Sequence, residues 1–272
     1  MRLKCGADCG PPRIVFWREF NLGENIVIQV ALNGARARSE NPAIPSTVAE
    51  MVESARESVA AGAGCVHFHV RGSDGRESIT AGEVATALRA MRQAIPGVPL
   101  GISTAEWIEP DSAARHARIA AWDVLPDFVS VNFNEPGSVA LAEMLISRGV
   151  GIEAGLASVL SVENFVGSKI GPQCLRALIE PEEQEMKDVV AVVGILEAFL
   201  NRGGVKIPRL LHGYNATAWD FVGLAAARGY DTRIGFEDTV VMLDGSPAPG
   251  NGAIIAEAVT LFKSVAKTRA AN

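Results

Sequence analysis

The chain has 272 residues, 48% of them hydrophobic and 21% charged, enough to bury a sizeable core and too apolar for a disordered protein. Its formal charge of -6 shows no basic excess, which argues against a surface that tracks nucleic-acid phosphates. Four cysteines without Cys-x-x-Cys or zinc-finger spacing, and no apolar run near the roughly 20 residues of a membrane span, argue against a disulfide framework, a structural zinc site and a transmembrane helix, and fit a reducing cytoplasm.

Residues 1–24, with Cys5 and Cys9, read as a polar, Pro-containing extension that lacks the apolar run of a signal peptide and is dispensable for chemistry. From there to residue 272 one domain is expected. Strand one spans Ile26 to Leu32, and its helix Pro45 to Ala61 carries Val48, Met51, Val52, Ala55 and Val59 on one stripe. Thr47 and Glu50 form a capping box at its start, and Thr80 with Glu83 repeats the signal before helix two. Strand two is Cys65 to Val70, strand three Pro99 to Ser103, strand four Asp127 to Asn132 and strand five Val150 to Ala154. Helix three covers Asp111 to Ala121, and helix four runs from Ser138 to Arg148, where Gly149 stops it. A fifth helix falls between Ser158 and Ser168. Strand six is Leu175 to Glu180, strand seven Arg209 to His212 and strand eight Thr232 to Glu237. Helices Asp188 to Leu200, Thr217 to Arg228 and one from Asn251 complete the series. Eight strand and helix units, with no Gly-x-Gly-x-x-Gly after strand one, predict a closed (β/α)8 TIM barrel rather than an open doubly wound sheet.

In such barrels catalytic groups sit at the carboxyl ends of the strands. The polar residues there are Asn33 and Arg36; His67, His69 and Arg71; Ser103, Thr104 and Glu106; Asn132, Asn134 and Glu135; Glu153; Glu180 and Glu182; His212; and the run Arg233 to Asp238. His67 and His69 stand two apart, so a strand aims both imidazoles into one space, which suits a divalent metal. By the same period Arg233, Gly235 and Glu237 share a face, and Glu237 becomes a third ligand, leaving open positions for substrate. Asp238 beside a guanidinium is a candidate base, or half of a structural ion pair with Arg233 that closes the barrel. The hydroxyls of Ser103 and Thr104 suit a substrate carboxylate and equally suit local backbone. A strand-end His212 is a candidate fourth ligand or general base, with packing the favoured reading; His116 is read as solvated, and neither Cys65 nor Cys174 carries the marks of a nucleophile.

Together these residues resemble the β-keto acid cleavage enzyme family. The likeness runs from about residue 26 to the carboxyl end, strongest in Gly64-Cys-Val-His-Phe-His-Val-Arg71 with Asp74-Gly75-Arg76, and in Arg233-Ile-Gly-Phe-Glu-Asp238 leading to Asp244-Gly245 and Asn251. It implies a TIM barrel that binds one zinc through His67, His69 and Glu237, with Asp238 as catalytic aspartate, Arg233 as its partner and Ser103 on the substrate. It also implies acetyl-CoA as co-substrate. The carbon between ketone and carboxylate attacks the thioester, CoA moves to the original keto carbon, and a retro-Claisen step releases acetoacetate and a new acyl-CoA. Zinc rather than iron or manganese, and assembly into a homo-oligomer, rest on the resemblance alone.

This chain departs from members that cleave 3-keto-5-aminohexanoate. Those carry Gly-Ala-Glu after strand one, where an acid meets the substrate amine; here the run is Asn33-Gly34-Ala35-Arg36. Glu106 stands where the family tends to have glycine and is expected to pair with Arg36. Thr104, Arg36, Glu106 and Asn134 are thus candidate substrate contacts, for a keto acid that is not aminated and is neutral or anionic at its far end. Two other readings compete: a metal-dependent hydrolase of amidohydrolase type, which usually needs further strand-end histidines beyond His212, and a non-catalytic small-molecule binder on the same barrel.

Overall fold

Short apolar runs alternate with amphipathic helices through residues 26–271, the part of the chain that the computed structural model describes. Cys5, Cys9 and the expected extension lie outside it. The strands are β1 (Ile28–Ala31), β2 (Cys65–Phe68), β3 (Leu100–Ser103), β4 (Phe128–Asn132), β5 (Gly151–Leu156), β6 (Arg176–Ile179), β7 (Arg209–Leu211) and β8 (Asp231–Ile234). Between and after them come α1 (Val48–Ala60), α2 (Ala81–Ala94), α3 (Ser112–Ala120), α4 (Ser138–Ser147), α5 (Val159–Ser168), α6 (Met186–Arg202), α7 (Ala218–Arg228) and α8 (Asn251–Ala271). The strands pair in parallel and in chain order, and β8 closes the ring by pairing Thr232 with Ile28 of β1. This is the single (β/α)8 barrel that the alternation of elements predicts. Among the described residues no helix is long and apolar enough to cross a membrane.

Local signals account for most element ends. Thr47 and Glu50 exchange the two bonds of a capping box at the start of α1, and Gly149, at φ 77°, follows the last turn of α4 in the left-handed conformation. The second expected box does not form. Glu83 instead gathers the hydroxyls of Ser78 and Thr80, so no side chain caps α2.

The barrel interior is polar at its amino-terminal end. There Glu153, fully buried, accepts from Gln29 at 2.8 Å and from Arg176, whose Nη2 stands 2.6 Å away, while Arg176 Nη1 reaches Asp231 at 2.7 Å. Glu153 is therefore not a strand-end group, because β5 runs on to Leu156 and leaves it one layer below the site. Cys65 lies against the same arginine; burial pushes its thiol up to about 11, and Cys174, also buried, up to about 12. Neither is a thiolate near neutral pH. Replacing Glu153 by alanine leaves the buried Arg176 with Asp231 as its remaining carboxylate partner and is expected to cost about 3 kcal/mol of stability, read as a lowered midpoint in denaturant unfolding.

Candidate metal centre and cavity

β2 carries His67, and His69 follows at its end, both nearly fully buried and facing the carboxyl mouth of the barrel. Their backbone is locked by Asn33, whose amide oxygen accepts from His69 N at 2.9 Å and whose amide nitrogen donates to His69 O at 3.0 Å. Glu237 arrives differently from the expected strand position. β8 stops at Ile234, because at Gly235 the chain passes so close over β1 that a Cβ would lie 2.1 Å from Ala31 O. Glu237 N then bonds Ala31 O at 3.2 Å, and its side chain occupies space left by Gly34, whose Cβ would stand 2.4 Å from Glu237 Cγ. Two glycines thus bring the carboxylate onto the histidines.

The result is a compact donor set. One ligand atom from each of His67, His69 and Glu237 lies within 4.8 Å of the others. Glu237 Oε2 is buried without a hydrogen bond among the described residues, 3.6 Å from His67 Nε2, while Glu237 Oε1 is 3.3 Å from His69 Nε2. Burial drives the His67 ring well below its ordinary value, which keeps it in the neutral, ligating form. Burial also opposes charge on His69, but the carboxylates of Glu237 and Glu77 outweigh it and raise the ring to about 9. Burial alone would raise Glu237; Arg233 and the two histidines pull it well below the carboxylate range. A pocket that draws positive charge between two imidazoles and an ionised carboxylate fits a divalent cation, and this nitrogen and oxygen set suits zinc with a position left for substrate. His212 is not among these donors.

Glu77 is a residue of the candidate site that strand-end reasoning missed. The chain turns at Asp74-Gly75, with Gly75 at φ 78°, and an antiparallel bridge between Arg71 and Glu77 returns the carboxylate to His69 Nδ1, which it holds. Trp107 donates to the same carboxylate at 3.2 Å and stacks on His69 with ring centroids 6.2 Å apart. The signal was an acid just beyond an Asp-Gly turn following the His-x-His strand. An outer carboxylate that orients a ligating imidazole typically contributes 10- to 100-fold in metal affinity. The Glu77→Gln variant is accordingly expected to bind zinc about 10- to 100-fold more weakly in competition with a chromogenic chelator.

Asp238 follows Glu237 and is fully buried. Arg233 Nη2 stands 3.0 Å from its Oδ1 and 2.6 Å from Glu237 Oε1, so one guanidinium holds both carboxylates. His212 is not merely packed: its Nδ1 lies 3.5 Å from Asp238 Oδ1 and its Nε2 3.0 Å from Glu180 Oε2. Burial and Arg233 oppose charge on this ring, yet the two carboxylates raise it.

In front of these groups opens a cavity of about 650 Å³ lined by Arg36, His69, Ser103, Glu106, Asn134, Arg233 and Glu237, with Trp107, Ser130, Asn132, Glu135, Glu180, Glu182, Tyr214 and others. Ser103 accepts from Ala105 N at 3.3 Å and keeps its O–H free to donate. Thr104 does not border the cavity, since its hydroxyl donates to Ser130 O at 2.7 Å. The expected Arg36–Glu106 pair is replaced by another. Arg36 pairs with Glu40 at 2.7 Å and donates to Asn215 Oδ1 and to the carbonyls of Glu237 and Asp238 at 3.0 and 3.2 Å. Glu106 is exposed at the rim. His116 is half-buried rather than solvated, and burial lowers its pKa.

The description "beta-keto acid cleavage enzyme" belongs to the family whose profile matches residues 25–164 and 187–271. A 3-keto-5-aminohexanoate cleavage enzyme of Fusobacterium nucleatum is 27% identical over 266 residues, 90% of this chain and 93% of that protein. A 3-oxoadipate:acetyl-CoA acetyltransferase of Cupriavidus necator is 36% identical over 106 residues, 39% of this chain and 36% of that one. Among solved structures, the binary complex of ObcA with oxaloacetate shares the fold at TM-score 0.64 and 19% identity, covering 85% of this chain and 67% of that chain.

Proposed function

The chain belongs to the beta-keto acid cleavage enzyme family, and on that premise we propose that it condenses a β-keto acid with acetyl-CoA and releases acetoacetate and a new acyl-CoA. The observation that carries this reading is the convergence of His67, His69 and Glu237 at the cavity, with Arg233 in the same wall and Asp238 held behind it. Zinc held by those three ligands would act as a Lewis acid on the 3-keto oxygen.

The protein's own groups supply the rest. Asp238, oriented by Arg233, takes the proton from the carbon between ketone and carboxylate. Asp238 is fully buried and does not itself line the cavity, so the proton reaches it when the Arg233 and Glu237 side chains in front of it give way. The Ser103 hydroxyl donates to the substrate carboxylate. Arg36 serves as a fixed cation at the cavity edge, and its bonds to the Glu237 and Asp238 carbonyls hold the ligand and the base in place. An ammonium group near it is disfavoured, so the substrate is a keto acid without an amine, neutral or anionic at its far end. The partial likeness to an acetyltransferase of 3-oxoadipate, a dicarboxylic β-keto acid, supports that class.

The test is acetyl-CoA-dependent formation of acetoacetate and acyl-CoA from simple, dicarboxylic and aminated β-keto acids, followed by mass spectrometry. Turnover of a non-aminated acid is expected. Preference for 3-keto-5-aminohexanoate defeats the substrate assignment, and no product from any acid defeats the reaction.

A further inference from the structure

One side of the cavity takes no part in metal binding or in moving the substrate proton. Asn132 ends β4, Glu180 follows β6, and His212 and Tyr214 follow β7. Glu180 is 8% exposed, and its Oε2 accepts the Tyr214 hydroxyl at 2.9 Å and faces His212 Nε2 at 3.0 Å. Two partners on one oxygen fix the carboxylate; the other oxygen, Oε1, has no hydrogen bond among the described residues. Asn132 is set the same way. Its amide nitrogen donates to Glu135 Oε1 at 2.8 Å, which assigns the free position to its carbonyl Oδ1.

The two free oxygens converge over Gly155. Each lies 2.5 Å from where a Cβ on that residue would sit. Gly155 does not have a positive φ, so space rather than backbone conformation accounts for the glycine. Acceptors held side by side at a cavity wall, with no protein donor between them, call for a donor from the ligand.

We propose that Glu180 Oε1 and Asn132 Oδ1 form a subsite for a neutral hydroxyl on the far end of the β-keto acid, its single proton shared between the two oxygens in a three-centre bond. The proposal rests on the cleavage reading of this site and narrows its substrate from the neutral or anionic class to a hydroxylated acid. A second substrate carboxylate would meet Glu180 and be repelled. An ammonium would meet both the guanidinium groups of Arg36 and Arg233 and the carboxylates of Glu40, Glu106, Glu135, Glu182 and Glu237 in the same lining, whereas a hydroxyl offers the donor without a charge to place among them.

The test is calorimetric binding to the zinc-loaded protein of a short β-keto acid, its hydroxylated counterpart and the aminated and dicarboxylic analogues, with turnover by acetyl-CoA measured on the same set. The hydroxylated acid is expected to bind about 10-fold or more tighter than the unsubstituted one, the scale of one well-made buried hydrogen bond. Gly155→Ala, which puts a methyl group into the cradle, and Glu180→Gln, which keeps the volume, are both expected to bring that ratio towards one. A wild-type ratio near one, a preference for the amine or the dicarboxylate, or a ratio unchanged in both variants overturns the subsite. Selective binding without acetoacetate formation sinks the cleavage reading and leaves the subsite standing; turnover without selectivity does the reverse. Failure of every acid to bind overturns both.

Discussion

Replacing Asp238 by asparagine is expected to lower kcat for the preferred β-keto acid by about 100- to 10,000-fold, the usual contribution of a positioned general base. The substitution keeps the shape of the side chain and removes its ability to accept a proton. It leaves the metal ligands in place, so zinc content should not change. Arg233 keeps the Glu237 carboxylate at 2.6 Å, which limits the penalty of depriving a buried guanidinium of one partner. If Asp238 only closes the barrel as half of an ion pair, turnover survives in the variant although the Arg233 pair is weakened. Kinetics on the folded variant, with denaturant unfolding to show that it is folded, therefore separate the two roles.

The second large effect is expected from His67→Ala. His67 is buried and neutral, and no other histidine among the described residues is placed to substitute for it in the donor set. The variant should retain less than a tenth of the wild-type zinc by elemental analysis and should lose acetyl-CoA-dependent product. Chelation provides an independent reading. A metal at 100 times its Kd stabilises the folded state by about 2.7 kcal/mol, so a chelator should lower the Tm of the wild type and leave that of His67→Ala unmoved. Full zinc content in the variant would remove His67 from the centre.

Several site residues were legible because their positions follow from strand geometry. The two-residue repeat of a strand puts His67 and His69 on one face, and the barrel rule places Ser103, Glu180 and His212 at the mouth. Glu237 was placed beside the two histidines for an incomplete reason. The same two-residue repeat, extended past Ile234, put it on the inner face, whereas it reaches the histidines from a loop for which Gly34 and Gly235 make room. The Thr80 and Glu83 pattern was equally sound as a local signal. It lost to Ser78, a nearer competitor for the same carboxylate.

Order of elements, barrel closure, the His-x-His pair and the acid-rich end of β8 were written in the sequence, because each depends on periodicity and on neighbours within a few residues. Pairings between distant positions were not. Gln29 meets Glu153 across 124 positions, and Arg36 meets the Glu237 carbonyl across 201. A composition that contains several arginines and many carboxylates allows many such pairs, and only closure of the ring selects among them. That selection sends Arg36 to the β8 loop instead of Glu106, sinks Glu153 beneath the site, and leaves Glu180 and Asn132 with one free oxygen each above Gly155. Side-chain chemistry is local and can be read along the chain; the partner that a charged group finds is fixed by the packing of all eight strands at once.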